Sequence, residues 1–163
     1  MWPGCSLMRW LKKFNKNKYL DDSCVMAGIL LITHGTLGEA LIQTAIHVLN
    51  RRPPRLKQLG LTAQDDPLLM LPQARKLVAE LDDGGGVLIL TDIYGASPSN
   101  MAAKLVIPGK VEAITGVNLP MLIRTLTYQD KSLDMMITKA VSGGCEGVAR
   151  VPAFTLHHGA TGS

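Results

Sequence analysis

Cysteine is scarce in this 163-residue chain, with only Cys5, Cys24 and Cys145 present. Their number is odd and no two stand at a C-x-x-C spacing, so a disulfide framework and a thiolate zinc site both lack their residues. Aromatic side chains make up 4% of the sequence against 47% hydrophobic residues overall, which leaves Leu, Ile, Val, Ala and Met to build the core. No apolar run approaches the roughly 18 residues of a membrane span, and no apolar stretch follows the first basic residues as it would in a signal peptide. Stable membrane insertion is therefore not expected, and a reducing, cytoplasmic location fits. Two motifs are also missing. Gly109-Lys110 lacks the preceding glycine of a nucleotide-binding P-loop, and no Ser or Cys sits in a G-x-S-x-G setting.

The net charge of +4 is uneven. Residues 1–25 hold five basic side chains (Arg9, Lys12, Lys13, Lys16, Lys18) against Asp21 and Asp22, so the remainder is nearly neutral. A nearly neutral body argues against nucleic acid as a partner. Residues 1–25 read either as a basic surface segment that touches a membrane or partner, or as a disordered extension or a start assigned too early with Met26 as the first residue, and the second reading is expected. The length suits one domain, placed at residues 26–154, with a tail at 155–163. His157 and His158 fall in that tail and His47 on a polar helix face, so no metal site and no cofactor are expected.

From Ala27 the chain alternates strand and helix. Ala27–Thr33 is a continuous apolar run that reads as a buried strand, and Leu37, Leu41, Ala45, Val48 and Leu49 share a helical face. Leu56–Leu61 is a weaker strand. A helix beginning between Pro67 and Pro72 carries Leu71, Ala74, Leu77, Val78 and Leu81. After the Asp82–Gly86 turn comes Val87–Thr91, a second buried strand. Ser97 suits an N-cap with Pro98 at the first helical position, for a helix ending near Ile107-Pro108-Gly109. Val111–Thr115 is a fourth strand, followed by a short helix to about Tyr128. A last helix, capped by Ser132, turns Leu133, Met136, Ile137, Ala140 and Val141 inward and stops at Gly143-Gly144. Val148–Phe154 suggests an edge strand, since Pro152 cannot donate to a central ladder.

This alternation predicts an α/β, doubly wound parallel sheet in the flavodoxin-like order 2-1-3-4. In that order strands one and three are neighbours whose connections diverge, and the crevice at their carboxyl ends is where such sheets bind ligands. His34 directly follows the first strand and Asp92 the third. A strand-end histidine is often an ordinary loop residue, and an aspartate there is often a helix cap. Both together, each ahead of a glycine-containing loop, also fit a reactive pair. A carboxylate accepting from one ring nitrogen leaves the other as base or nucleophile. Helix amino termini after Gly35–Gly38 and at Ser97 would add backbone donors suited to an anion. Phosphohistidine chemistry fits this set better than hydrolysis.

Three segments carry a resemblance: Gly28–Leu41 (GILLITHGTLGEAL), Leu88–Ala103 (LILTDIYGASPSNMAA) and Ile114–Leu122 (ITGVNLPML). Over residues 28–148 the chain resembles the enzyme IIA domain of the mannose-type (mannose/fructose/sorbose) bacterial sugar phosphotransferase system. The resemblance implies that His34 accepts phosphate from phospho-HPr and passes it to an enzyme IIB histidine in trans. It implies that Asp92 orients the imidazole and that Ser97 contacts the phosphate; Gly35 and Thr36, ahead of the first helix, are expected to bind the phosphate as well. It further implies a homodimer in which the C-terminal strand crosses to the neighbouring subunit. Two other readings stay open: a regulatory protein whose His34 phosphorylation state controls partner binding, and the phosphotransfer subunit of dihydroxyacetone kinase. Gly95-Ala96 replaces the Gly-Gly common in relatives and Ser99 a frequent Phe, which brings a standard mannose enzyme IIB into question.

Overall fold

The computed structural model describes residues 25–151. Most of the N-terminal extension, the segment 152–154 and the tail lie outside these residues. Four strands form one sheet: β1 (Gly28–His34), β2 (Leu56–Leu61), β3 (Val87–Thr91) and β4 (Val111–Thr115). All neighbours are parallel, in the order β2-β1-β3-β4. Five helices complete the described chain: α1 (Leu37–Leu49), α2 (Pro67–Leu81), α3 (Ser97–Ala103), α4 (Leu119–Thr127) and α5 (Leu133–Glu146). None of them is long and apolar enough to cross a membrane.

The pleat of β1 explains its unbroken apolar sequence. Ile29 and Leu31 enter a core layer with Ile42 and Ala45 of α1, four buried residues of α4, and Met136 and Ala140 of α5. Leu30 and Ile32 enter the opposite layer with Ala74 and Leu81 of α2 and Met101 and Ala102 of α3. A strand covered on both faces has no solvent side for polar residues to occupy. Because α1 lies on one face and α3 on the other, the connections leaving β1 and β3 diverge, as the predicted strand order requires.

Several helix details differ from their sequence-based expectations. The face of α1 is turned: Gly38, Ile42 and Ala45 are buried, whereas Leu37 and Val48 are exposed. In α2 the start does fall where expected, at Pro67, the first of the two candidate prolines, capped by Asp66 accepting from the Leu68 N–H at 2.8 Å, so that Pro72 stands inside the helix. Ser97 is not an N-cap but the first helical residue, with Ala96 preceding it and no side-chain cap. Helix α3 also ends early, at Ala103. Pro108 disfavours helical backbone at Ile107, and Ile107 instead bridges to Val111 through a turn closed by Gly109 at φ 76°. Helix α5 is capped by the Ser132 hydroxyl as expected, yet it runs through Gly143-Gly144 to Glu146 and leaves Val141 exposed. Those glycines do not stop the helix; they let it lie against α4. A Cβ at Gly143 would come 2.6 Å from the Arg124 Cβ, and one at Gly144 2.7 Å from the Met121 Cε. Residues 148–151 form no strand here, and the rest of the expected edge strand lies outside the described residues.

Candidate functional site

β1 and β3 are paired in register through Ile32 and Thr91, so their ends fall side by side. His34 is the last residue of β1 and Asp92 the first beyond β3. The structure brings them into direct contact. Asp92 Oδ2 accepts from the His34 backbone N–H at 2.9 Å and lies 2.8 Å from the ring Nδ1. Its other oxygen accepts from the Ile93 N–H at 2.9 Å. The carboxylate is 9% exposed and the imidazole 48%, so a sheltered anion holds a ring that opens to solvent.

Burial is the largest single influence on Asp92 and pushes its carboxyl upward. The His34 backbone N–H, the His34 ring and the Ile93 N–H together outweigh it and hold the group below its ordinary value of 3.8. Asp92 is therefore ionised at neutral pH. An ionised carboxylate can only accept, which assigns a proton to Nδ1, so that in the neutral ring the lone pair is on Nε2.

The turn after His34 is held from β2. Gly35 has φ 51°, a backbone conformation that glycine adopts without penalty, and its N–H donates to the Leu61 carbonyl at 2.8 Å. Gly60 passes so close beneath that a Cβ there would collide with the Gly35 carbonyl oxygen. Thr36 precedes α1 but makes no capping bond with its side chain. The amide of Gly38 is satisfied by the buried Thr33 hydroxyl at 2.9 Å.

On the other side of the crevice, Ser97 opens α3 and is exposed. It also lines a groove of about 270 Å³ with Pro67, Leu68, Asn100, Met101 and Lys104. Gly95 has φ 80°, whereas Ala96 has φ −81° and ψ 173°, so alanine sits there without strain. Exposed Ile93 and Tyr94 stand between Asp92 and Gly95. The structure thus joins His34 to Asp92 and places Gly35 and Thr36 in the turn beside them, with Ser97 across on the β3–α3 side. Sequence reasoning missed the Ile93 N–H and the Leu61 carbonyl, which are main-chain groups without a residue signature. It also missed Thr33 and Gly60. Thr33 had one visible sign, a hydroxyl at the end of an otherwise apolar strand.

An open, doubly wound α/β domain with a His–Asp pair at its topological switch point is the class that fold and site define. Residues 28–141 match the family described as PTS system fructose IIA component. The chain belongs to that family, the IIA components of the sugar phosphotransferase system. Among curated relatives, the PTS system mannose-specific EIIAB component of Escherichia coli K12 is 34% identical over 128 residues. That match covers 77% of this chain and 39% of the relative, so the chain spans well under half of the relative's length. A mannose/sorbose-specific IIA subunit from Enterococcus faecalis superposes with a TM-score of 0.72 at 19% identity, over 80% of this chain and 98% of that one. A PTS IIA protein associated with the fucose utilization operon of Streptococcus pneumoniae gives 0.67 at 26% identity, over 77% and 93%.

Proposed function

We propose that this protein is a phosphocarrier that takes a phosphoryl group from phospho-HPr onto His34 and donates it to a histidine of an enzyme IIB acting in trans, in the cytoplasm. The observation that carries this reading is the His34–Asp92 contact, with Nδ1 engaged by the carboxylate on a ring that is about half exposed. In the forward step the Nε2 lone pair attacks phosphorus as the phosphorus–nitrogen bond of the donor breaks. The His34 ring becomes cationic while it keeps its Nδ1 proton, and Asp92 lies where that charge develops. Donation to the next histidine reverses the process and restores the neutral ring.

Phosphate binding is assigned to Ser97, Gly35 and Thr36. Thr36 supports this because its hydroxyl is not spent on capping α1. Ser97 supports it as an exposed hydroxyl on the first turn of α3, one short loop beyond Asp92. No cofactor enters the scheme, since the phosphoryl group arrives already activated on a protein.

The test is incubation with phosphoenolpyruvate, enzyme I and HPr. The expected product is a phosphorylated chain whose label survives base and is lost in mild acid, as a phosphoramidate requires. His34→Ala should abolish it. Undiminished incorporation in that variant would assign the phosphate to another residue and overturn the reading.

A further inference from the structure

We propose that Thr33 is a positioning residue for His34, its buried hydroxyl strapping the β1–α1 turn into the geometry that keeps the imidazole on Asp92. The inference rests on the reading of His34 as phosphoryl acceptor and adds a group that never touches the phosphate.

A helix start leaves amides without intrahelical partners, and the residue before the helix customarily satisfies one of them. In α1 that residue is Thr36, with φ −97° and ψ 8°, and its side chain caps nothing. Thr33 takes over the task from inside the sheet. It is wholly buried in β1, and its Oγ1 accepts from the Gly38 N–H at 2.9 Å. The bond leaps over His34, Gly35, Thr36 and Leu37, so it fixes the beginning of α1 against the end of β1. Gly38 is shaped for this contact. A Cβ there would lie 3.0 Å from the Thr33 Oγ1 and 3.3 Å from the Gln58 Cβ.

The other ties on the turn act nearer its start: His34 N–H to Asp92, and Gly35 N–H to the Leu61 carbonyl. Only the Thr33 bond among these closes the whole turn. Without it, the Gly38 amide is buried and unpaired, and Thr36, the residue at the N-cap position whose side chain caps nothing, is placed to take over. Recruiting Thr36 would pull residues 34–36 toward α1 and turn the ring away from Asp92.

The experiment compares the full chain with Thr33→Val, which keeps the side-chain shape without the hydroxyl, and Thr33→Ser, which keeps the hydroxyl. All are measured at a temperature where circular dichroism shows each folded. Two readouts are taken: transfer rate from phospho-HPr across HPr concentrations, and the ¹⁵N resonances of the His34 ring. Thr33→Val should slow the first-order transfer step roughly 10-fold or more, because misplacements below 1 Å are felt at a reacting centre. Its KM should change little, and its Nδ1 resonance should move away from the protonated position. Thr33→Ser should stay near wild type in both. A Thr33→Val protein that is merely less stable, with wild-type transfer rate and ring resonances, would overturn the proposal. So would a Thr33→Ser protein as impaired as Thr33→Val, since the effect would then belong to packing. Should wild type itself accept no phosphate on His34, the functional reading fails, and the ring resonances alone decide whether Thr33 positions the imidazole.

Discussion

His34 has one ring nitrogen committed to a sheltered carboxylate and one open to a partner, and that division of labour depends on Asp92 being charged. Asp92→Asn should preserve the fold while slowing phosphotransfer by about 10²–10⁴-fold, the scale for losing an oriented acid–base partner. An amide cannot stabilise a cationic ring, and its NH₂ group can select the wrong tautomer. Wild-type transfer rates in this variant, measured by rapid quench, would reduce Asp92 to a turn-stabilising residue. The same carboxylate carries an acid-sensitive share of stability. Its native pKa lies below 3.8, so that share is fully present above about pH 4 and is lost as pH falls through the depressed native value. Denaturation midpoints of wild type and Asp92→Asn should therefore converge in strong acid. At this scale the pair itself was legible in the sequence, because its two residues end two obvious apolar strands. The groups that hold the pair in place were not, because they are main-chain atoms and a hydroxyl inside a strand.

Strands announced themselves better than helices did. β1 and β3 are buried on both faces, and a short, continuous apolar run between turn residues is the pattern such burial demands. Helix faces were harder, since small residues do the packing. In α1 the buried stripe runs through Gly38 and Ala45, which hydrophobicity alone ranks below Leu37 and Val48. In α5 two glycines that resemble a stop signal are contact points, and α4 approaches so closely that nothing larger fits. Gly143→Ala should consequently destabilise the protein by about 1–3 kcal/mol, the usual range for overpacking. Val141→Gln, at a position the periodicity points inward but the structure exposes, should fall within about 0.5 kcal/mol of wild type. Urea denaturation distinguishes the two, and equal costs would contradict the described α4–α5 packing. The sequence pattern could not separate these cases because periodicity locates a face without saying what lies opposite it.

For the molecule as a whole, β4 is an edge of the sheet: its ladder is made with β3, and beyond that only the Ile107–Val111 bridge meets its first residue among the described residues. Its Thr115 hydroxyl is buried with no hydrogen-bond partner. A strand arriving from a second subunit would occupy that edge, and the segment from Val148 onward is the expected donor. Deleting the chain after Gly147 should then weaken a homodimer while leaving His34 able to accept phosphate. Sedimentation is the direct measurement. A monomer at micromolar concentration, unaltered by the deletion, would remove the C-terminal exchange from the picture.

The burial of β1 and β3 on both faces has a consequence for how the molecule comes apart. Amide protons in a strand walled in by helices on either side, with a ladder on each edge, reach solvent only when the entire domain opens. Loops and helix ends can fray many times while those two strands stay closed. His34 and Asp92 are fastened to the ends of these same strands. The His34–Asp92 pair therefore stands on the last ground the protein gives up, and fraying outside the β1–α1 turn leaves the strand ends that carry it in place.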